Sequence, residues 1–279
     1  MKIWIGTAGV PESSKDRSTL GGLKTVSALK LNSMEIEFVR GVKMSNEIAK
    51  EVGKLADDLK IRLSIHAPYF INLCSLEKDK LEASKQRILD SAERAHFMHA
   101  DIIVFHPAYY GKLSEKEAFQ KVKEACEDLL DRMKDRGFSD VRLGLETTGK
   151  VSQFGTLDEI IEICKEVKGC TPVIDFAHLY ARAAGRIDFS EIFDKILVIK
   201  LKHLHTHFSG MEFSPVRMTG MGNERRHLNL KDGAPPDYKP LVKEILNRKV
   251  DITLISESPN LEGDALFLKG VFEKEGYKF

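Results

Sequence analysis

Thiol chemistry is scarce in this chain. The four cysteines, Cys74, Cys126, Cys164 and Cys170, form no Cys-x-x-Cys pair, which argues against a disulfide framework and against a cysteine-ligated zinc site. Also missing is any apolar run long enough to cross a bilayer. Residues 1–4 lead directly into a strand pattern instead of a signal peptide, so a cytoplasmic protein without membrane contact is expected. There is no excess of either charge: 43 Lys and Arg stand against 42 Asp and Glu, and a formal net charge of +1 carries no bulk signature of a nucleic-acid partner. No linker, low-complexity tract or charge block divides the chain, and nothing marks a protein partner.

What the chain does have is a repeated strand ending. The stretch 63–75, Leu-Ser-Ile-His-Ala-Pro-Tyr-Phe-Ile-Asn-Leu-Cys-Ser, is an apolar run that closes on His66 and turns at Pro68. The same design recurs at Ile102-Ile103-Val104-Phe105-His106, at Leu143-Gly144-Leu145-Glu146 and at Val173-Ile174-Asp175, followed by His178 in the turn expected beyond that strand. It recurs again in the run 196–207, with His203, His205 and His207 alternating on one side, and at Leu254-Ile255-Ser256-Glu257. One histidine after an apolar run is usually a hydrogen-bonded structural residue. A series of such endings from separate parallel strands converges on one face of a barrel, where imidazole and carboxylate together make a zinc, manganese or iron site.

Between these runs the chain alternates helix and strand. Helical spacing is read over 19–30, 46–59 behind a Ser45 cap, 78–98, 115–136 behind the capping box Ser114-Glu115-Lys116-Glu117, and the stretch after Thr156-Leu157-Asp158-Glu159 that closes at Gly169. Further helices are expected over 237–248 and 264–273, and strands over 3–9, 34–39, 199–208 and 251–258. The pattern predicts an α/β fold: a single (β/α)8 TIM barrel over 1–279, a size close to the roughly 250 residues typical of that fold, with the metal site at the carboxyl ends of its strands. The segment 208–237, rich in glycine and proline, is expected to be a long irregular loop, and its cluster Glu224-Arg225-Arg226-His227 suggests function.

Smaller features leave two readings open. Gly6-Thr7-Ala8-Gly9 admits either a ligand or tight packing; Glu35 and Glu37 either enter the barrel or pair with Arg40 and Lys43. His96 and His99, near a helix end, read as structural. Lys200 and Lys202 fall opposite the histidines of the expected 199–208 strand, an awkward position on a wall that helices should cover.

Glu146, between His66 and His106 on one side and Asp175 and Glu257 on the other, suits a carboxylate shared by two metals. Such a centre activates water and suits hydrolysis at phosphorus; a single metal with flanking carboxylates would instead move protons on a sugar.

His66-Ala67-Pro68-Tyr69 with Ile71-Asn72-Leu73, Phe105-His106-Pro107, Leu145-Glu146-Thr147-Thr148, Ile174-Asp175-Phe176-Ala177-His178 and Glu257-Ser258-Pro259, taken in order through most of the chain, resemble the motifs of the endonuclease IV family of apurinic/apyrimidinic endonucleases. The resemblance implies the barrel shared with xylose isomerase-like proteins, a trinuclear zinc site, and base-excision repair by cleaving DNA 5′ to abasic sites; two or three zinc ions are expected here, with manganese as an alternative. It implies one zinc on His66, His106 and Glu146, and a second on Glu146, Asp175, Glu257 and a strand-seven histidine, with His205 first, His207 as alternate and His203 structural. A third zinc would take His178 and His227, while Tyr69 would help shape the DNA site. The chain departs from the family twice. Arg225 stands where the family has the aspartate of an Asp-Arg-His triplet, leaving Glu224 as the available carboxylate, and the family's DNA-inserting loop is not recognisable in 38–43. The alternative reading is a divalent-metal sugar isomerase or epimerase of the same superfamily, with Glu146 and Glu257 in proton transfer.

Overall fold

The computed structural model describes residues 1–279. The barrel strands are β1 (Ile3–Ala8), β2 (Ser33–Glu37), β3 (Arg62–His66), β4 (Ile102–Phe105), β5 (Arg142–Glu146), β6 (Cys170–Asp175), β7 (Leu204–Phe208) and β8 (Ile252–Ser256). They close in the order β1-β8-β7-β6-β5-β4-β3-β2. The helices are α1 (Thr19–Ala28), α2 (Asn46–Leu59), α3 (Lys78–Phe97), α4 (Glu115–Asp135), α5 (Leu157–Glu166), α6 (Phe176–Arg182), α7 (Phe189–Leu197), α8 (Lys239–Arg248) and α9 (Leu261–Lys274). The expected TIM barrel is what the chain forms.

The chain divides into two compact units. One comprises Glu35–Thr148 and Ser152–Val173. Here β3 pairs in parallel with β4, β4 with β5 and β5 with β6, in the register Leu143↔Cys170 through Glu146↔Val173. Capping fixes its helices as the sequence suggests. Ser45 Oγ accepts from the Ile48 N–H, and full capping boxes at Ser114 and Thr156 satisfy first-turn donors that would otherwise lack partners. Ile102, Val104 and Val173 pack as a buried cluster. On the polar side Glu35 is fully buried and accepts from Ser64 Oγ at 2.7 Å, which settles it inside the barrel. His96 and His99 pair with Asp140 and Asp57, in keeping with structural roles.

The other unit comprises Met1–Met34, Gly149–Val151 and Ile174–Phe279, and β8 lies between β1 and β7 in parallel register. A Cβ at Gly6 would meet the Ser33 carbonyl oxygen at 1.9 Å, so the small residues of β1 serve tight packing.

Three expectations in this unit need correction. The strand expected over 199–208 begins only at Leu204. Residues 199–203 instead form a linker after α7 that turns at Lys200 with φ of 54°. Lys200 and Lys202 therefore never stand on a barrel wall, and the awkward placement disappears. His178, expected in a turn, lies in the first turn of α6, which Asp175 caps by accepting from the His178 N–H at 2.8 Å. The segment 208–237 is not irregular: Gly210–Pro215 and Gly222–Leu228 pair as an antiparallel ribbon. No helix of the chain is long and apolar enough to cross a membrane.

Candidate metal centre

In the first unit, His66, His106 and Glu146 bring one donor atom each to within 4.8 Å of one another. His66 ends β3, Glu146 ends β5, and His106 directly follows β4, so neighbouring strands deliver all three from their carboxyl ends. One oxygen, Glu146 Oε2, receives His66 Nε2 at 3.2 Å and His106 Nε2 at 3.1 Å, and the glutamate is fully buried. His66 Nδ1 lies 2.8 Å from the Ala67 carbonyl, which can only accept. The Nδ1 proton therefore goes to Ala67, the usual outer support of a metal-bound histidine, and Nε2 is the nitrogen turned to Glu146.

Burial alone would drive the His66 proton off. The hydrogen-bonded Glu146 carboxylate and the charges of Glu37, Glu146 and Glu35 outweigh burial and raise the imidazole to about 10. These carboxylates demand a positive charge at Nε2. A divalent cation answers that demand, and a nitrogen–oxygen donor set without thiolate fits zinc or manganese.

A second donor group forms in the other unit. His178, His227 and Glu257 place donor atoms within 4.8 Å of one another. His178 Nε2 lies 3.0 Å from Glu224 Oε2, and its Nδ1 lies 3.4 Å from Asp175 Oδ2. His227 Nδ1 lies 2.9 Å from Ser209 Oγ and 3.9 Å from Glu257 Oε2. Of the strand-seven histidines, His207 Nδ1 reaches Glu257 Oε1 at 3.3 Å. His205 sits two residues deeper along β7, with its ring 5.5 Å from that of His207. His203 precedes the strand, packs edge-on against Trp4 and meets Thr253 Oγ1 at 2.9 Å, a structural role.

Beside the first donor group, Tyr69 lies 5.5 Å from the His66 ring and is 55% exposed, and the next residue, Phe70, is 66% exposed. Both line a groove of about 440 Å³ with Asn72, Tyr109, Lys80 and Arg87. The motif reading found Tyr69 but missed Phe70, Lys80, Arg87 and Ser209. An exposed aromatic pair after the Pro68 turn was the available signal for Phe70, whereas Lys80 and Arg87 lie on the amphipathic helix α3 and look like solvent-facing charges until it is folded.

A model of the xylose isomerase-like TIM barrel matches residues 23–271. The chain belongs to that family. An uncharacterized protein of Methanocaldococcus jannaschii is 37% identical over 272 residues, which are 95% of this chain and 94% of that one. A probable endonuclease 4 of Mycoplasmopsis pulmonis is 27% identical over 178 residues, 61% of this chain and 60% of its own length. Among solved structures, a D-tagatose 3-epimerase-like protein superposes with a TM-score of 0.72 at 19% identity, covering 98% of this chain and 96% of its own. Endonuclease IV from Thermus thermophilus superposes with a TM-score of 0.69 at 17% identity, covering 99% and 100%. At these identities the structural likeness is one of fold.

Proposed function

We propose that this member of the family is a zinc-dependent phosphodiesterase of DNA repair that cleaves DNA on the 5′ side of abasic sites. The observation that carries the reading is the presence of two donor groups, His66–His106–Glu146 and His178–His227–Glu257, where the single-metal alternative would use only one. The sequence likeness to endonuclease 4 proteins supports it. On this reading His66, His106 and Glu146 would hold one ion, and Asp175, His207 and Glu257 would hold another. Bound there, the cations would supply Lewis acidity and a nucleophile at neutral pH.

The protein's own groups set the geometry. The two imidazoles on Glu146 Oε2 hold that carboxylate in one orientation, and the Ala67 carbonyl fixes the His66 tautomer. Tyr69 and Phe70 offer exposed faces on which a base or an unpaired sugar can stack, and Lys80 and Arg87 suit a phosphate backbone. The alternative is a sugar isomerase or epimerase in which Glu146 and Glu257 transfer protons around one metal. It is favoured by residues 38–43, which contain no recognisable DNA-inserting motif. Incubating the metal-loaded protein with a duplex carrying one abasic-site analogue tests the proposal. A single break 5′ to the analogue is expected; an intact duplex together with epimerised ketose would overturn it.

A further inference from the structure

The ribbon contains a displaced residue that changes which side chain faces α6. Met211 pairs with His227 and Glu212 with Arg226, yet Phe213 pairs with Glu224, so Arg225 is the extra residue of a β-bulge. Met211 packs against Ala177 and Ala181 of α6, with Phe213 beside it, so the ribbon face shared by Met211, Phe213, His227 and Glu224 is the one turned to His178. In an unbroken strand the residue two before His227 would take that face, and that residue is Arg225. The bulge puts Glu224 there and sends Arg225 outward, where its side chain is 63% exposed and lies 3.9 Å from Glu212.

Glu224 is held in a built position. Its N–H donates to the Gly149 carbonyl at 2.9 Å, Val151 N–H donates to Asn223 Oδ1 at 2.9 Å, and Arg182 Nη1 donates to the Lys150 carbonyl at 2.9 Å. A Cβ on Gly149 would lie 2.1 Å from Glu224 Oε2, so only glycine leaves room for the carboxylate. The same segment brings Lys150 Nζ to 3.3 Å from Glu224 Oε1, while Glu224 Oε2 faces His178.

We propose that Lys150 is a tethered counter-cation of Glu224, and that a divalent ion entering between His178, His227 and Glu224 competes with it for that carboxylate. This rests on the metal reading given under Proposed function. The outer position is then the weakest of this chain's cation sites because an ammonium competes for its carboxylate. Lys150 is a positioning residue, and its effect is on affinity for the ion.

The test is a calorimetric titration of Zn²⁺ into metal-free protein, with bound metal counted by elemental analysis, for the wild type, Lys150→Met and a variant with Arg225 deleted. Lys150→Met should tighten the weakest site by roughly two- to fivefold and leave the tighter sites alone. Deleting Arg225 removes the bulge, turns Glu224 away and should eliminate the weakest site only. An unchanged weakest site in Lys150→Met overturns the proposal while leaving the metal reading intact. Zinc binding by none of the three proteins overturns both.

Discussion

The two donor groups are built by different means. His66, His106 and Glu146 sit at the ends of adjacent, hydrogen-bonded strands, so their spacing follows from strand separation and a common register. In the second group, His178 and His227 come from the first turn of a short helix and from a bulged ribbon, and the position of Glu224 beside His178 depends on one inserted residue and on Gly149. The first group is a property of the fold. The second depends on local detail and should be the easier to lose.

Substitutions should expose that difference. The largest effect is expected from Glu146→Gln, which removes the charge that both imidazoles share. Cleavage should fall on the order of a thousandfold, the scale on which a charge-stabilising group acts, with circular dichroism unchanged; undiminished cleavage would remove Glu146 from the mechanism. Next is His207→Asn, expected to weaken cation binding by about 10- to 100-fold, against a smaller loss for His205→Asn. Equal losses in a metal titration would contradict the assignment of His207 as the strand-seven ligand.

The metal-free protein offers a pH test confined to the first group. The folded His66 imidazole titrates at about 10, above its ordinary 6.5, so the native state holds its proton more tightly than the unfolded chain. That contribution to stability is fully present below pH 6.5 and is lost as pH rises toward 10. The difference in Tm between wild type and His66→Gln, followed by scanning calorimetry without metal, should shrink over that window. A constant difference would mean that no such proton is held.

The smallest effect is expected from Arg225→Asp. Alignment alone suggests that an aspartate there would restore a ligand, but the bulge aims this position at solvent, so zinc affinity should change by less than about twofold. A clear gain in bound zinc would show that the bulge is not what sets the face.

The same contrast explains what could be read from sequence. Apolar runs ending in His66, His106, Glu146, Asp175 and Glu257 are a strand-period signal, and both the barrel and these positions followed from it. The ribbon was unreadable because a bulge adds one residue without a compositional mark, so alternation from His227 points to Arg225 instead of Glu224. The run 196–201 misled for another reason: a short apolar stretch has no period of its own, and Ile196 and Leu197 close α7. His205 and His207 differ in depth along β7, which strand alternation does not report, because both point to the same side. Lys150 left no trace, since its role depends on the ribbon that receives it.

The most direct test of the central claim is elemental analysis of the purified protein without added metal. Two or three zinc ions per chain are predicted, with the His66–His106–Glu146 group filled first and the Glu224 position last. A single manganese, magnesium or cobalt ion per chain would contradict the multinuclear centre and favour proton transfer on a sugar.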